Sequence, residues 1–347
     1  MRKLTLEQIH RRQEAIMRKR RKANDKKRAA HKHNNRKKLN NTTKHKSSFN
    51  GPLEVYAPAL FVIDNLEKVI NFVNDTERRC SNTLSRILKV NLDGVTKIDS
   101  YAISFLLSLL NRLSYKNIKY WGTYPNSIEA KTYILDSGFL DVMKSNIKRP
   151  SNRRTANRIF MIGKDSVDSH RIGKAVKESM AFITGKEEAY PPVYDNMLEI
   201  SANSVEHANE KRQDKNWLVS ISLEGNKVHY ILTDTGFGIL ATLRKKNSQR
   251  FKDAVTIKSD SETLFDVFNK IYQSATGEIN RYKGLPIILE SFNEGFVSEL
   301  KVVTNKVFYD FETNKSKELK YGFKGVLYSW TVSKNNYDKW LNSLNQQ

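Results

Sequence analysis

The chain is predicted to fold in the α/β class, as two-layer α+β sandwich domains behind a basic arm. Three observations carry this. Residues 53–145 alternate short β-type runs with stretches of helical spacing. Residues 155–335 do so again and include an apolar strand that ends in Asp followed by Gly-x-Gly. Residues 1–49 have no core-forming pattern and hold most of the chain's positive charge.

The arm comes first. The 347 residues carry a formal net charge of +23, and residues 1–49 supply +15 of it, from 18 Lys/Arg against 3 Asp/Glu. Leu4, Leu6, Ile9, Ala15, Ile16 and Met17 could stripe one short helix, but from Arg18 to Lys46 large apolar residues almost vanish. Such an arm attracts polyanions by counterion release, which points to nucleic acid as a partner. A solvated tail is the alternative. A membrane surface is disfavoured, because the arm lacks the aromatic face of interfacial helices. The longest apolar runs, such as Tyr101 to Leu110, are about half of the roughly twenty residues a membrane span needs. The charged start does not read as a secretory signal, and the single cysteine, Cys80, cannot form an internal disulfide. The expected location is the cytoplasm.

Asn50-Gly51-Pro52 is turn chemistry and marks a boundary. Leu53 to Ile63 reads as an extended strand, Leu66 to Val73 as a helix, and Ile87 to Leu92 as a buried strand. Ser100 to Leu113 follows as a helix with Ile103, Leu106, Leu107 and Leu110 on one side. Ile118 to Trp121 is a short strand and Ile128 to Leu135 a helix. The stretch Val90-Asn91-Leu92-Asp93-Gly94 through Ile98-Asp99-Ser100, with the later Ser137-Gly138-Phe139-Leu140, resembles the STAS (anti-anti-sigma-like) domain over about residues 53–145. The resemblance implies a protein partner for this half. Where that family places a phosphoacceptor serine and then glycine, this chain has Tyr101 and Ala102. Ser100 is expected to cap the helix.

Ser145 to Asn157 is polar and basic and reads as a linker. Ile159 to Ile162 then opens the second half, and Asp168 to Ile183 is a helix. Asn196 to Ala208 has strong helical spacing. Met197, Ile200, Ser201 and Ser204 can pack inward, while Glu199, Asn203 and His207 fall at successive i+4 positions in one polar row. An amide oxygen is a hard ligand that suits Mg²⁺, and a carboxylate beside it can orient a water or take a proton. Alone, the row would be a solvated face, and His207 a packed or surface histidine. Strands are expected at Trp217 to Leu223 and Val228 to Leu232, the second leading into Asp234-Thr235-Gly236-Phe237-Gly238. One carboxylate is thereby set beside backbone that a ligand can approach closely. A tight turn capped by Asp234 is the bland alternative. Arg281 to Leu289 places Lys283 and Gly284 at the start of a helix whose free N–H groups would suit an anion. Strands near Ser298 to Thr304, Val307 to Phe311 and Gly325 to Val332 would complete the sheet.

In this order the motifs resemble the N box and G1 box of the GHKL superfamily, with its Bergerat-type ATP-binding fold. The resemblance implies ATP and Mg²⁺ as ligands, Glu199 as catalytic base, and Asn203 as the metal ligand. It also implies that Asp234 holds the adenine amino group, with Gly236 and Gly238 shaping the pocket. Lys283 and Gly284 resemble the G2 box, although Tyr282 replaces its first glycine. Ala241 to Gly277 has the position of an ATP lid. The helix around His170 lacks the dimerising pattern of a sensor kinase's phosphoacceptor. The function expected is therefore an ATP/Mg²⁺-dependent ATPase or switch, of which a bacterial stress or phage-defence ATPase would be one version. The alternatives are an anti-sigma-type protein serine kinase, or a non-hydrolysing nucleotide-binding scaffold that contacts nucleic acid through residues 1–49.

Overall fold

The computed structural model describes residues 51–140, 143, 158–164, 166–207, 216–246, 258–269 and 284–345. The basic arm and the linker at 145–157 lie outside them. Residues 50–81 and 85–347 form one compact unit. It is mixed α/β, with parallel and antiparallel sheets. No helix among the described residues is long and apolar enough to cross a membrane.

The first half is built on a parallel sheet. Strands β1 (Leu53–Tyr56), β3 (Ile87–Asn91) and β5 (Lys119–Gly122) lie in the order β1-β3-β5, and β2 (Leu60–Phe61) pairs separately with β4 (Lys97–Ile98). The extended run expected from Leu53 to Ile63 is two strands, because Ala57-Pro58-Ala59 interrupts it. Helix α1 (Leu66–Asn82) runs well past the apolar stripe that predicts it. Its continuation is polar in sequence, yet Thr76, Glu77 and Cys80 are buried on the same side. Helix α2 spans Ser100–Tyr115, and α3 spans Ile128–Asp136 behind the N-cap Ser127. The cap of α2 is Asp99, not Ser100. Its Oδ1 accepts from the Ala102 N–H at 2.8 Å and its Oδ2 from the Ile63 N–H at 2.6 Å. A carboxylate can accept from both the helix end and the neighbouring turn.

The second half carries a five-stranded antiparallel sheet in the order β6-β7-β8-β10-β9. Its strands are β6 (Arg158–Lys164), β7 (Asn216–Glu224), β8 (Lys227–Asp234), β9 (Ser298–Asp310) and β10 (Lys315–Ser333). The helices are α4 (Ser169–Thr184), α5 (Pro191–His207), α6 (Ile239–Lys246), α7 (Asp260–Phe268), α8 (Gly284–Asn293) and α9 (Lys334–Leu344). The two strands expected either side of Asn305 are one, because Asn305 adopts a φ of 51° within β9, a conformation asparagine tolerates.

Both faces of this sheet are covered. Val228, Tyr230 and Leu232 of β8 pack among the α4, α5 and α8 side chains. Ile231, with Leu218, Val303, Phe323 and Leu327, packs with the first half's core. The covering element there is α2, buried at almost every position from Ala102 to Leu113 because a sheet lies on each side of it. Phe105 of α2 meets Phe323 of β10 edge-to-face at 4.7 Å, and the Tyr101 hydroxyl donates to Ser329 Oγ at 3.0 Å.

Candidate functional site

Period two along β8 decides where Asp234 points. It is in phase with Val228, Tyr230 and Leu232, so its carboxylate faces the helices rather than α2. Asn203 reaches the same place from α5. Met197, Ile200 and Ser201 are buried at 0–1% exposure, which fixes the rotation of that helix as its spacing predicts. Ser204 turns its hydroxyl back to the Ile200 carbonyl at 2.8 Å. Between β8 and α5 opens a cleft of about 550 Å³ including its mouth. Asn203, Asp234, Gly236 and Gly238 all line it, with apolar walls from Ile200, Phe237, Ile239, Leu285 and Val326 and the buried ring of Tyr328.

Asp234 is not a helix cap. Its Oδ1 accepts from the Gly236 N–H at 2.8 Å and from the Val326 N–H on β10 at 3.1 Å. Both hydrogen bonds described for it fall on that one oxygen. Burial pushes its pKa up to about 6, against the downward pull of these two N–H groups. Burial also raises the Tyr328 phenol well above its usual value, and the Asp234 charge adds to this.

Three glycines make the arrangement possible. A Cβ on Gly236 would stand 3.1 Å from Asp234 Oδ1, crowding the carboxylate. Gly238 has φ +86°, and a Cβ there would lie 2.6 Å from Asn305 Oδ1. Gly325, in a bulge of β10 with φ +121°, would carry a Cβ 2.1 Å from the Asp234 carbonyl oxygen. The bulge brings the Val326 N–H to the carboxylate.

The N-terminus of α6 is occupied by the protein itself. Thr304 Oγ1 accepts from Ile239 N–H at 2.9 Å, and Asn305 Oδ1 accepts from Leu240 and Ala241 N–H at 3.0 and 3.3 Å. Asn305 Nδ2 donates to the Phe237 carbonyl at 2.9 Å. The Gly-x-Gly loop is thereby tied to β9.

Not every expected residue comes to the cleft. Glu199 is half-buried one helical turn before Asn203 and does not line it. Gly284 is the first residue of α8, as expected, and the next residue, Leu285, forms the cleft wall. Lys283 and Tyr282 lie outside the described residues, as does much of the segment between Ala241 and Gly277. His207 ends α5, with its side chain outside what is described. Sequence reasoning missed Thr304, Asn305, Gly325 and Tyr328. Gly325 alone carried a signal, a glycine inside an apolar strand.

The lining is mostly apolar, with the Asp234 carboxylate, the Asn203 amide and the hydroxyl residues Ser204 and Thr242 as its polar groups, and it suits a partly apolar ligand with a donor for Asp234. Among the described residues no group of three or more His, Cys, Asp or Glu gathers that could hold a metal. A divalent ion here would rest on the Asn203 amide and on oxygens of its ligand. No protein-family model and no curated protein matches the chain.

Proposed function

We propose that this cleft binds ATP with Mg²⁺ and that the protein is a nucleotide-dependent ATPase or switch of GHKL type. The supporting observation is the meeting of Asp234 and Asn203, from β8 and α5, in one apolar-walled cleft. In this reading Asp234 accepts from the exocyclic amine of adenine, Ile200, Val326 and Tyr328 flank the base, and the Asn203 amide oxygen holds the metal. The bound metal would neutralise phosphate charge and polarise the terminal phosphoryl group.

The position of Glu199 favours a second reading, in which nucleotide is bound without turnover. A general base must come within hydrogen-bond reach of its proton, and Glu199, one turn from Asn203 on α5, is not among the residues that line the cleft. Transfer of phosphate to the chain's own Ser100 or Tyr101 is disfavoured. Ser100 is buried, and the Tyr101 hydroxyl is engaged by Ser329.

The test is Mg²⁺-dependent ATP binding by calorimetry, with phosphate release followed in parallel. Asp234→Asn should abolish binding, because an amide offers the adenine amine a second donor. Glu199→Ala should retain binding and lose any turnover the wild type has. A folded wild-type protein that ignores ATP would refute the assignment. Binding with no turnover in either protein would select the second reading.

A further inference from the structure

The outer face of the parallel sheet is composed unlike a solvated one. Alternation along β1, β3 and β5 sends Val55, Leu88 and Val90 inward onto the core and Glu54, Tyr56, Ile87, Lys89, Lys119 and Trp121 outward. Tyr56 is 67% exposed, Ile87 41% and Trp121 49%. A half-solvated sheet of this size would ordinarily carry polar residues there. Glu54, Lys89 and Trp121 stand in one cross-strand row. The Lys89 ammonium lies 3.0 Å from Glu54 Oε1 and 5.1 Å from the Trp121 ring centroid. Tyr56 donates to Glu54 Oε2 at 3.2 Å. The Glu54 carboxylate is thereby engaged, and the Trp121 ring lies against a cation. Lys119, exposed, continues the positive charge at the other end of the strands. The chain enters this sheet at β1 directly from residues 1–49, with their +15 charge.

We propose that this face is a stacking platform for single-stranded nucleic acid, with Tyr56 and Trp121 each taking a base. Lys89 and Lys119 supply phosphate contacts. Exposed rings on a sheet serve unpaired bases, whose faces are free, and duplex offers no such faces. Two strand spacings and a two-residue offset separate the rings, roughly 12 Å, a span of a few nucleotides. This inference is independent of the ATP assignment.

The test uses the full-length protein and fluorescein-labelled oligo(dT) and oligo(rU) of about 12 nucleotides, with a duplex of equal length as reference. Tyr56→Ala and Trp121→Ala should each weaken single-strand binding about tenfold and together about a hundredfold. Duplex affinity should stay unchanged, since arm and lysines are intact. Trp121→Phe, which keeps a ring, should retain most of the affinity. Trp121 is the most exposed of the four tryptophans, so its emission should be quenched by oligonucleotide and the quench absent in Trp121→Phe. The ratio of dT to rU affinity separates DNA from RNA as the source. Unchanged single-strand binding in the double variant, equal loss for single strand and duplex, or no quench would overturn the proposal. So would a wild-type dimer that Trp121→Ala dissociates, because a second copy would then own the face.

Discussion

Asp234 meets two conflicting demands. Buried, it costs the fold, and charged, it is what a ligand amine needs. The sign follows from its pKa, near 3.8 in the unfolded chain and about 6 in the fold. Below the lower value the group is neutral in both states and costs nothing. As pH rises through that window the folded state loses stability, and above it the whole penalty is present. Asp234→Asn keeps an oxygen for the Gly236 and Val326 N–H groups and removes the charge. We expect its unfolding free energy at pH 7 to exceed wild type by roughly 2–3 kcal/mol. The gain should vanish near pH 4, as measured by urea denaturation across pH. A variant less stable than wild type at pH 7 would mean that unseen donors compensate the carboxylate. Gly325→Ala tests the other side of the same contact. With a Cβ 2.1 Å from the Asp234 carbonyl and φ +121°, it should lower Tm and abolish nucleotide binding together.

At the scale of elements, the cleft wall depends on a strand lending its side chains to a helix. Asn305 takes two N–H groups of α6 and holds the Phe237 carbonyl. Asn305→Ala should cost about 1–2 kcal/mol, the range for a lost cap with buried donors left open. It should also weaken ATP binding by loosening the Gly-x-Gly loop, which calorimetry would detect. Wild-type affinity in that variant would show that the loop holds its shape alone. The sequence announced β8 and the body of α5 from Asn196, because each pattern reports one buried face, but not that α5 starts at Pro191. For α2 it reported half, naming Ile103, Leu106, Leu107 and Leu110. Phe105, Leu109 and Leu113 are equally buried, and Phe105 meets Phe323 of the other sheet. A helix apolar all round carries that information, but not the identity of the layer behind it.

Over the whole molecule, the two halves are joined by a buried ionic cluster. Glu77 of α1 is met by Lys116 Nζ at 3.0 Å and Lys324 Nζ at 3.1 Å, with Arg112 Nε at 3.7 Å. Burial pushes the Glu77 carboxyl up, but the three cations outweigh it and bring it down to about 2. Arg112 is 1% exposed, and its fixed charge is set against the Glu77 carboxylate. Asn74 Nδ2 also donates to the Gly322 carbonyl at 2.8 Å. These contacts grip β10 just before Gly325 and Val326, the residues that hold Asp234. Glu77→Gln should destabilise by about 3 kcal/mol. A depressed carboxylate contributes stability above its unfolded pKa of 4.5 and loses it as pH falls toward 2. The variant should therefore lack the acid-side slope that wild type shows in that window. If the cluster also sets the β10 bulge, Glu77→Gln should weaken ATP binding from the far side of the sheet.

The sequence by itself determined the α/β class and most of the elements, and its resemblance to a known family implied that Asn203, Asp234, Gly236 and Gly238 share one site. Class and elements follow from local periodicity, and local rules are written in neighbouring residues. Only the tertiary structure decided that Asp99 caps α2, that α1 continues through polar Glu77, and that Thr304 and Asn305 cap α6. It alone set Gly325 against Asp234. The cap by Asp99 is local, to Ala102, but the others depend on partners far along the chain, Arg112 and Lys324 for Glu77 or β9 for α6. A single sequence carries no sign of such pairing until the sheet brings those residues together.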